Sequence, residues 1–167
     1  MTILIRKMSE SDWSEVRAIY QEGIETGTAT FTTVDSIPDY STWDGNHLII
    51  GRLVATIEHQ VVGWSAFSPI SSRSVYSGVA EISIYTSSRY RRQGIGDQLM
   101  TAAIQESENN GLWTIQAGIF SENTASILLH EKHGFRIVGK REKIGKLGPK
   151  WKDTLLLERR STFVGID

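Results

Sequence analysis

The spacing of apolar side chains changes twice between residues 80 and 119, and that double change limits the possible folds more than any other feature. Ala80, Ile82 and Ile84 alternate with Glu81, Ser83 and Tyr85, the period of two that a strand imposes. From Gly96 to Asn109 the apolar positions Leu99, Met100, Ala103 and Ile104 recur at helical spacing, and Asn110-Gly111 supplies a stop. Trp113, Ile115, Ala117 and Ile119 then alternate again. Strand, helix and strand in that order place two parallel strands in one sheet, with the helix packed across them.

The remaining pattern fits around this unit. Ile3–Lys7 reads as a strand, and Ser9 with Asp12 three residues on reads as a helix N-cap. Trp13, Val16, Ile19, Tyr20 and Ile24 carry the helix that follows. Gly27 to Val34 reads as an irregular loop or short strand. A short helix is expected from near Pro38, in its first turn, to Gly45-Asn46. Gly51–Ile57 and Val61–Ser68 form a hairpin around Glu58, His59 and Gln60. A helix from Thr124 to His133 is closed by Gly134, with Phe135 placed to fold back on it, and the strands Arg136–Arg141 and Trp151–Glu158 finish the chain. The expectation is one α/β (α+β) domain over residues 1–167 with a mixed, mostly antiparallel central sheet flanked by helices. A chain of 167 residues falls within the roughly 100–200 residues of one domain.

The segment joining the first strand of the unit to its helix is Arg89-Tyr90-Arg91-Arg92-Gln93-Gly94-Ile95-Gly96. Free amides and the dipole at a helix N-terminus favour an anion, the glycines let the backbone approach it, and three arginines add charge. A phosphate-bearing ligand is expected. The dinucleotide fingerprint lacks its third glycine, because Leu99 stands there, and Gly145-Lys146 is followed by Leu147 where a Walker loop needs Ser or Thr.

Charge and cysteine content exclude several classes. The net charge is −1, which argues against a general polyanion or nucleic-acid binder. That sum conceals an asymmetry: residues 1–72 hold 4 basic and 9 acidic side chains, residues 73–167 hold 14 and 10, and six basic residues against one Glu lie between Gly139 and Lys152. There is no cysteine, so disulfides, thiolate metal sites and a cysteine nucleophile are excluded. No apolar run approaches the roughly 18 residues of a membrane span, and Met1–Ile5 is too short for a signal peptide. A cytoplasmic protein is expected. His130 and His133 lack the further ligands a metal site needs, so none is expected.

Arg91-x-x-Gly94-x-Gly96, set between strand and helix and followed by a strand, Asn123 and a helix ending in Gly134-Phe135, resembles the GNAT acetyltransferase superfamily over nearly the whole chain. Arg73-Ser74-Val75-Tyr76, Val79–Tyr85, Asn123–Phe135 and Lys150–Asp153 are similar to its phosphinothricin and methionine sulfoximine N-acetyltransferases. The resemblance implies a sheet splayed at an acetyl-CoA site, acetyl-CoA as cosubstrate, a small amino-acid acceptor, a homodimer, and no nucleic acid or membrane partner. It places the coenzyme on Ile84, Tyr85 and Thr86, on Arg91, Arg92, Gln93, Gly94, Ile95, Gly96 and Asp97, and on Asn123 and Ser126. Asn123 equally suits a helix cap.

Glu81 is the expected base, facing away from Ala80, Ile82 and Ile84. A glutamate on a solvated face or paired with an arginine is the plainer alternative. His130 falls where many relatives carry a tyrosine that protonates the leaving thiolate, so it is either that acid or a structural histidine. Phe31, Arg73 and Tyr76 are expected to bind the acceptor, Arg73 through the bidentate pairing that arginine makes with oxyanions. Arg73 also suits a solvated loop and Phe31 the core, while Trp151 suits a site cover, a dimer interface or a buried position. Alternatives to the amino-acid acceptor are another amine (protein N-terminus, polyamine or aminoglycoside) and a non-catalytic acetyl-CoA-binding module.

Overall fold

The computed structural model describes residues 1–167. Strand β1 (Leu4–Lys7) leads through a single 3-10 turn into helix α1 (Trp13–Glu25), and α2 (Tyr40–Gly45) precedes strands β2 (Leu53–Ile57), β3 (Gln60–Pro69) and β4 (Val79–Thr86). Helix α3 (Ile95–Asn109), strand β5 (Thr114–Phe120), helix α4 (Thr124–Lys132) and strands β6 (Arg136–Leu147) and β7 (Lys150–Arg160) complete the chain. The seven strands form one sheet in the order β1-β2-β3-β4-β5-β7-β6. Only β4 and β5, joined by α3, run parallel, as the double change of period requires.

Two apolar layers cover the sheet. On one face, Leu99, Met100 and Ala103 of α3 pack with Ala55, Phe67, Ala80, Ile82 and Ile115. On the other, Val16 and Ile19 of α1 and Trp43 of α2 cover Val54, Trp64 and Ala66. Tyr85 belongs to this second layer. Its ring stacks on Trp64 at 4.9 Å and meets Tyr20 edge-on at 5.0 Å. Helix α1 carries Gly23 where it crosses this ring, and a Cβ there would lie 2.6 Å from Tyr85 Cδ1. Only a residue without a side chain lets helix and ring approach this closely.

Local chemistry moves several boundaries. Asp39, not Pro38, begins α2: its carboxylate accepts the Thr42 amide at 2.8 Å, so the proline precedes the cap instead of entering the first turn. The β2–β3 hairpin turns on two residues, Glu58 (φ +49°) and His59 (φ +70°), with Gln60 already paired to Ile57. Two left-handed residues match the twist of the flanking strands better than a longer turn. Residues 27–33 contain no strand. Both β6 and β7 extend beyond their expected ends, because their mutual pairing continues where the hydrophobic alternation does not.

Ser9 does mark the entry to α1, through a 3-10 turn held by Asp12. The Asp12 carboxylate accepts the Ser9 amide at 2.8 Å and receives both Arg6 guanidinium nitrogens at 2.8 Å. The Arg6 hydrogen bond, ahead of the opposing effect of burial, pulls the Asp12 pKa down to about 2. A folded pKa below the unfolded one stabilises fully above the unfolded value, and that stabilisation is lost as pH falls through the folded value. With Arg6 39% exposed, the contribution is about 1–2 kcal/mol. Asp12→Asn should therefore lower the urea-unfolding free energy by about that amount at pH 7. The gap to wild type should narrow from about pH 5 towards pH 2, and a gap independent of pH would rule this linkage out.

Candidate active site

The β4–β5 ladder is short. It pairs Val79, Ala80 and Glu81 with Thr114, Ile115 and Gln116 and then ends. Beyond that point β4 stays with β3 as far as Thr86, and β5 stays with β7 as far as Phe120. The strands splay, and a cleft of about 930 Å³ opens between them. The facing edges of Ile82–Thr86 and Ala117–Phe120 therefore present backbone groups that no neighbouring strand satisfies, and such groups need partners.

One end of the cleft combines unpaired amides with positive charge, the chemistry that suits an anion. Gly94, at φ +79°, caps α3 in the left-handed conformation with open space around its Cα. No amide from Arg91 to Asp97 donates to a group of the chain; Gln98 is the first, to the Gly94 carbonyl at 3.1 Å. Arg91 and Arg92 are exposed and line the cleft with Gly96. The loop is anchored from outside: the Glu22 carboxylate of α1 accepts the Ser88 amide at 2.7 Å. Asp97 pairs with Lys132 at 2.8 Å and His133 at 3.0 Å, which ties α3 to α4. The Lys132 hydrogen bond, followed by that of His133, holds the Asp97 pKa below its ordinary value.

Glu81 stands where the parallel ladder ends. Its Oε2 accepts a hydrogen bond from Gln116 Nε2 at 3.1 Å, and its half-buried side chain lines the cleft. Phe31 closes this side, meeting Phe120 edge-on at 4.7 Å. His130 lies across the cleft on α4 and is only 2% exposed. Its Nδ1 is 2.7 Å from the Ser126 carbonyl. A carbonyl only accepts, so Nδ1 carries the proton and Nε2 is left with a lone pair; Nε2 has no partner in the chain. Burial lowers the His130 pKa more than the Ser126 contact raises it, so the ring is neutral at pH 7. Asn123 is the N-cap of α4, its side chain accepting the Ser126 amide at 3.3 Å.

The structure thus brings Phe31, Glu81, Ile84, Tyr85, Thr86, Arg91, Arg92, Gly96, Asn123, Ser126 and His130 to one cleft. Gln93, Gly94, Ile95 and Asp97 stand beside it. The Ile95 side chain is in the core and the Asp97 carboxylate is engaged, so what these two residues leave unpaired is their backbone amides. Arg73 and Tyr76 are not among the residues lining the cleft. Arg73 caps and Tyr76 ends a single 3-10 turn before β4, with the Arg73 guanidinium 5.7 Å from the centre of the Tyr76 ring. Sequence reasoning missed Gln116, whose register opposite Glu81 was the available signal, and it missed Arg141 and Ile144, which line the cleft from β6. The residues include no cluster of three or more His, Cys, Asp or Glu able to hold a metal, and no helix is long and apolar enough to cross a membrane.

Residues 13–135 match the acetyltransferase (GNAT) family model, and the chain belongs to the GNAT acetyltransferase family, whose members are acyltransferases. It is 29% identical over 163 residues to the L-methionine sulfoximine/L-methionine sulfone acetyltransferase of Pseudomonas aeruginosa, covering 95% of this chain and 94% of that one. It is 30% identical over 159 residues to the phosphinothricin N-acetyltransferase of Streptomyces viridochromogenes, covering 93% and 86%. Among solved structures, a GNAT superfamily phosphinothricin acetyltransferase from Sinorhizobium meliloti in complex with AcCoA superposes with a TM-score of 0.86 at 27% identity, over 100% of this chain and 92% of that one.

The tautomer and charge of His130 are directly measurable. Burial disfavours the imidazolium, so the ring should titrate below the ordinary histidine value of 6.5. Nitrogen-15 NMR of the histidine rings should find His130 as the Nδ1–H tautomer at pH 7, and protonation above pH 6.5 would contradict the assignment.

Proposed function

We propose that the protein transfers the acetyl group of acetyl-CoA to the α-amine of a small polar amino acid, of the phosphinothricin, methionine sulfoximine or methionine sulfone type. The observation that carries this reading is a single cleft holding an anion-binding helix start, two unpaired strand edges and one free carboxylate oxygen. The amides of residues 92–97 and the Arg91 and Arg92 side chains suit a pyrophosphate. The unpaired edge of β4 at Ile84, Tyr85 and Thr86 suits the amide-bearing pantetheine arm, which would lie along it as an added strand does. Asn123 and Ser126 face that arm from the other side. The relatives' names support the acceptor class.

Glu81 supplies the base. An α-ammonium group is more acidic than an alkyl ammonium but still titrates above pH 7, so most acceptor molecules carry the proton at that pH. Gln116 holds one oxygen of the Glu81 carboxylate, leaving the other to take the ammonium proton directly or through a water as nitrogen attacks the thioester carbon; the tetrahedral adduct then breaks its C–S bond, and CoA leaves as a thiolate that solvent protonates. A β4 amide polarises the thioester carbonyl. Without a cysteine to carry the acyl group, transfer is direct within a ternary complex. His130 is neutral, its Nδ1 proton is engaged by the Ser126 carbonyl and its Nε2 is buried without a proton, so we assign it a structural role in place of general acid. The same resemblance supports a cytoplasmic homodimer, and the exposed apolar Ile137, Val138 and Trp151 on the outer strands suit such an interface.

Thiol release from acetyl-CoA across a panel of amines tests the reading. Phosphinothricin, methionine sulfoximine and methionine sulfone should turn over. Turnover confined to aminoglycosides, polyamines or peptide N-termini would reject the acceptor class, and no thiol release with any amine would favour a non-catalytic coenzyme-binding module. Glu81→Gln should lower kcat/KM by about 10²–10⁴-fold, most severely at low pH, where free amine is scarcest. An unchanged pH profile would remove Glu81 from the role of base.

A further inference from the structure

The basic run between Gly139 and Lys152 has no part in the reading above, yet it is where the sheet is most irregular. Strand β6 pairs Arg141 with Thr154, and the next pair is Gly145 with Lys152. Three residues of β6 (142–144) therefore oppose Asp153 alone. A bulge of this kind re-aims the side chains around it. The Asp153 carboxylate holds it in place, accepting the Lys143 amide at 2.7 Å through Oδ1 and pairing with Lys140 Nζ at 3.2 Å through Oδ2. Lys143 itself sits at φ +46°, in the left-handed region that a β-carbon makes costly. Just past the bulge, Gly145 lies against Phe31, and a Cβ there would be 2.9 Å from the ring. The bulge thus brings the β6–β7 hairpin over the end of the cleft that Phe31 closes.

The cations of the run are not equivalent. Lys140 is paired with Asp153, Lys152 with Glu122, and Lys146 lies over the Trp151 ring. Arg141 lines the cleft, is exposed, and has no hydrogen bond or ion pair within the chain. Its register neighbour Thr154 also lines the cleft, and Thr154 in turn pairs with Phe120, the ring on which Phe31 rests. These contacts place an unpaired arginine on the wall of the cleft beside Thr154, Phe120 and Phe31, the last being the aromatic residue expected at the acceptor.

We propose that Arg141, aimed into the cleft by the Asp153-held bulge of β6, binds the α-carboxylate of the amino-acid acceptor and so sets the preference for acids over other amines. The proposal rests on the acceptor class inferred above and deepens it. A guanidinium pairs with a carboxylate in bidentate fashion and loses that pairing when the carboxylate becomes a neutral amide.

Steady-state kinetics of wild type, Arg141→Gln and Arg141→Lys with methionine sulfone and its carboxamide, each at saturating acetyl-CoA, test it. Arg141→Gln should raise KM for methionine sulfone by about 10–100-fold, with kcat and the KM for acetyl-CoA changing far less. The carboxamide, a poorer substrate of wild type, should be nearly indifferent to the substitution. Arg141→Lys should recover part of the loss for the acid. Equal effects on acid and carboxamide would overturn the proposal, as would a loss expressed in the acetyl-CoA KM or no effect at all. A wild type that acetylates no amino acid overturns the acceptor class and this assignment together, whereas an active wild type matched by Arg141→Gln overturns the assignment alone.

Discussion

The structure turns on the early end of one hydrogen-bond ladder. After three residue pairs, β4 and β5 part and each follows its other neighbour. A sheet interrupted in its interior would ordinarily leave costly unsatisfied amides and carbonyls. Here the strands part around a cleft of about 930 Å³, so the same groups are open to a partner from outside the chain. The flanking elements keep the gap from closing: α1 buttresses β4 through Gly23 and Tyr85, and α4, tied to α3 through Asp97, stands over the far side. The glycine loop at the start of α3 and the Glu81 carboxylate gain their joint meaning only because the splay places both on one cavity.

Much of this was legible in the sequence, for a physical reason. A buried parallel unit needs a change of period from two to 3.6 and back, and a helix start that receives phosphate needs glycine. Both leave marks in consecutive residues. Ser9 and Asp12, Gly94 at the start of α3, and Gly134 with Phe135 at the end of α4 are signals of this kind, written within four positions of the element they define. The failures are equally local. Pro38 lies one residue before the cap of the helix it is expected to open, because Asp39 is the better cap.

What was not legible depends on register across distance. Gln116 meets Glu81 through strand pairing over 35 positions. Arg141 looks like one more cation in a solvated run, and only the bulge opposite Asp153 distinguishes it from Lys140 and Lys143. Strand β6 shows no alternation to warn of this, because almost all its residues are exposed. The charge of His130 is likewise invisible in its place on a helix. It follows from burial, which outweighs the opposing pull of a carbonyl one turn back.

Tyr85 carries a wider consequence. Its ring is a stone in the aromatic layer with Trp64 and Tyr20, while its backbone forms part of the cleft wall. Packing and chemistry therefore share one residue. A substitution that loosens the layer beneath α1 will shift the edge along which a ligand lies, and one that reshapes that edge will be felt in the packing. Evolution of new specificity in this domain should find less resistance on the β6–β7 hairpin, which reaches the cleft from outside the core, than on β4, where every change must satisfy two demands at once.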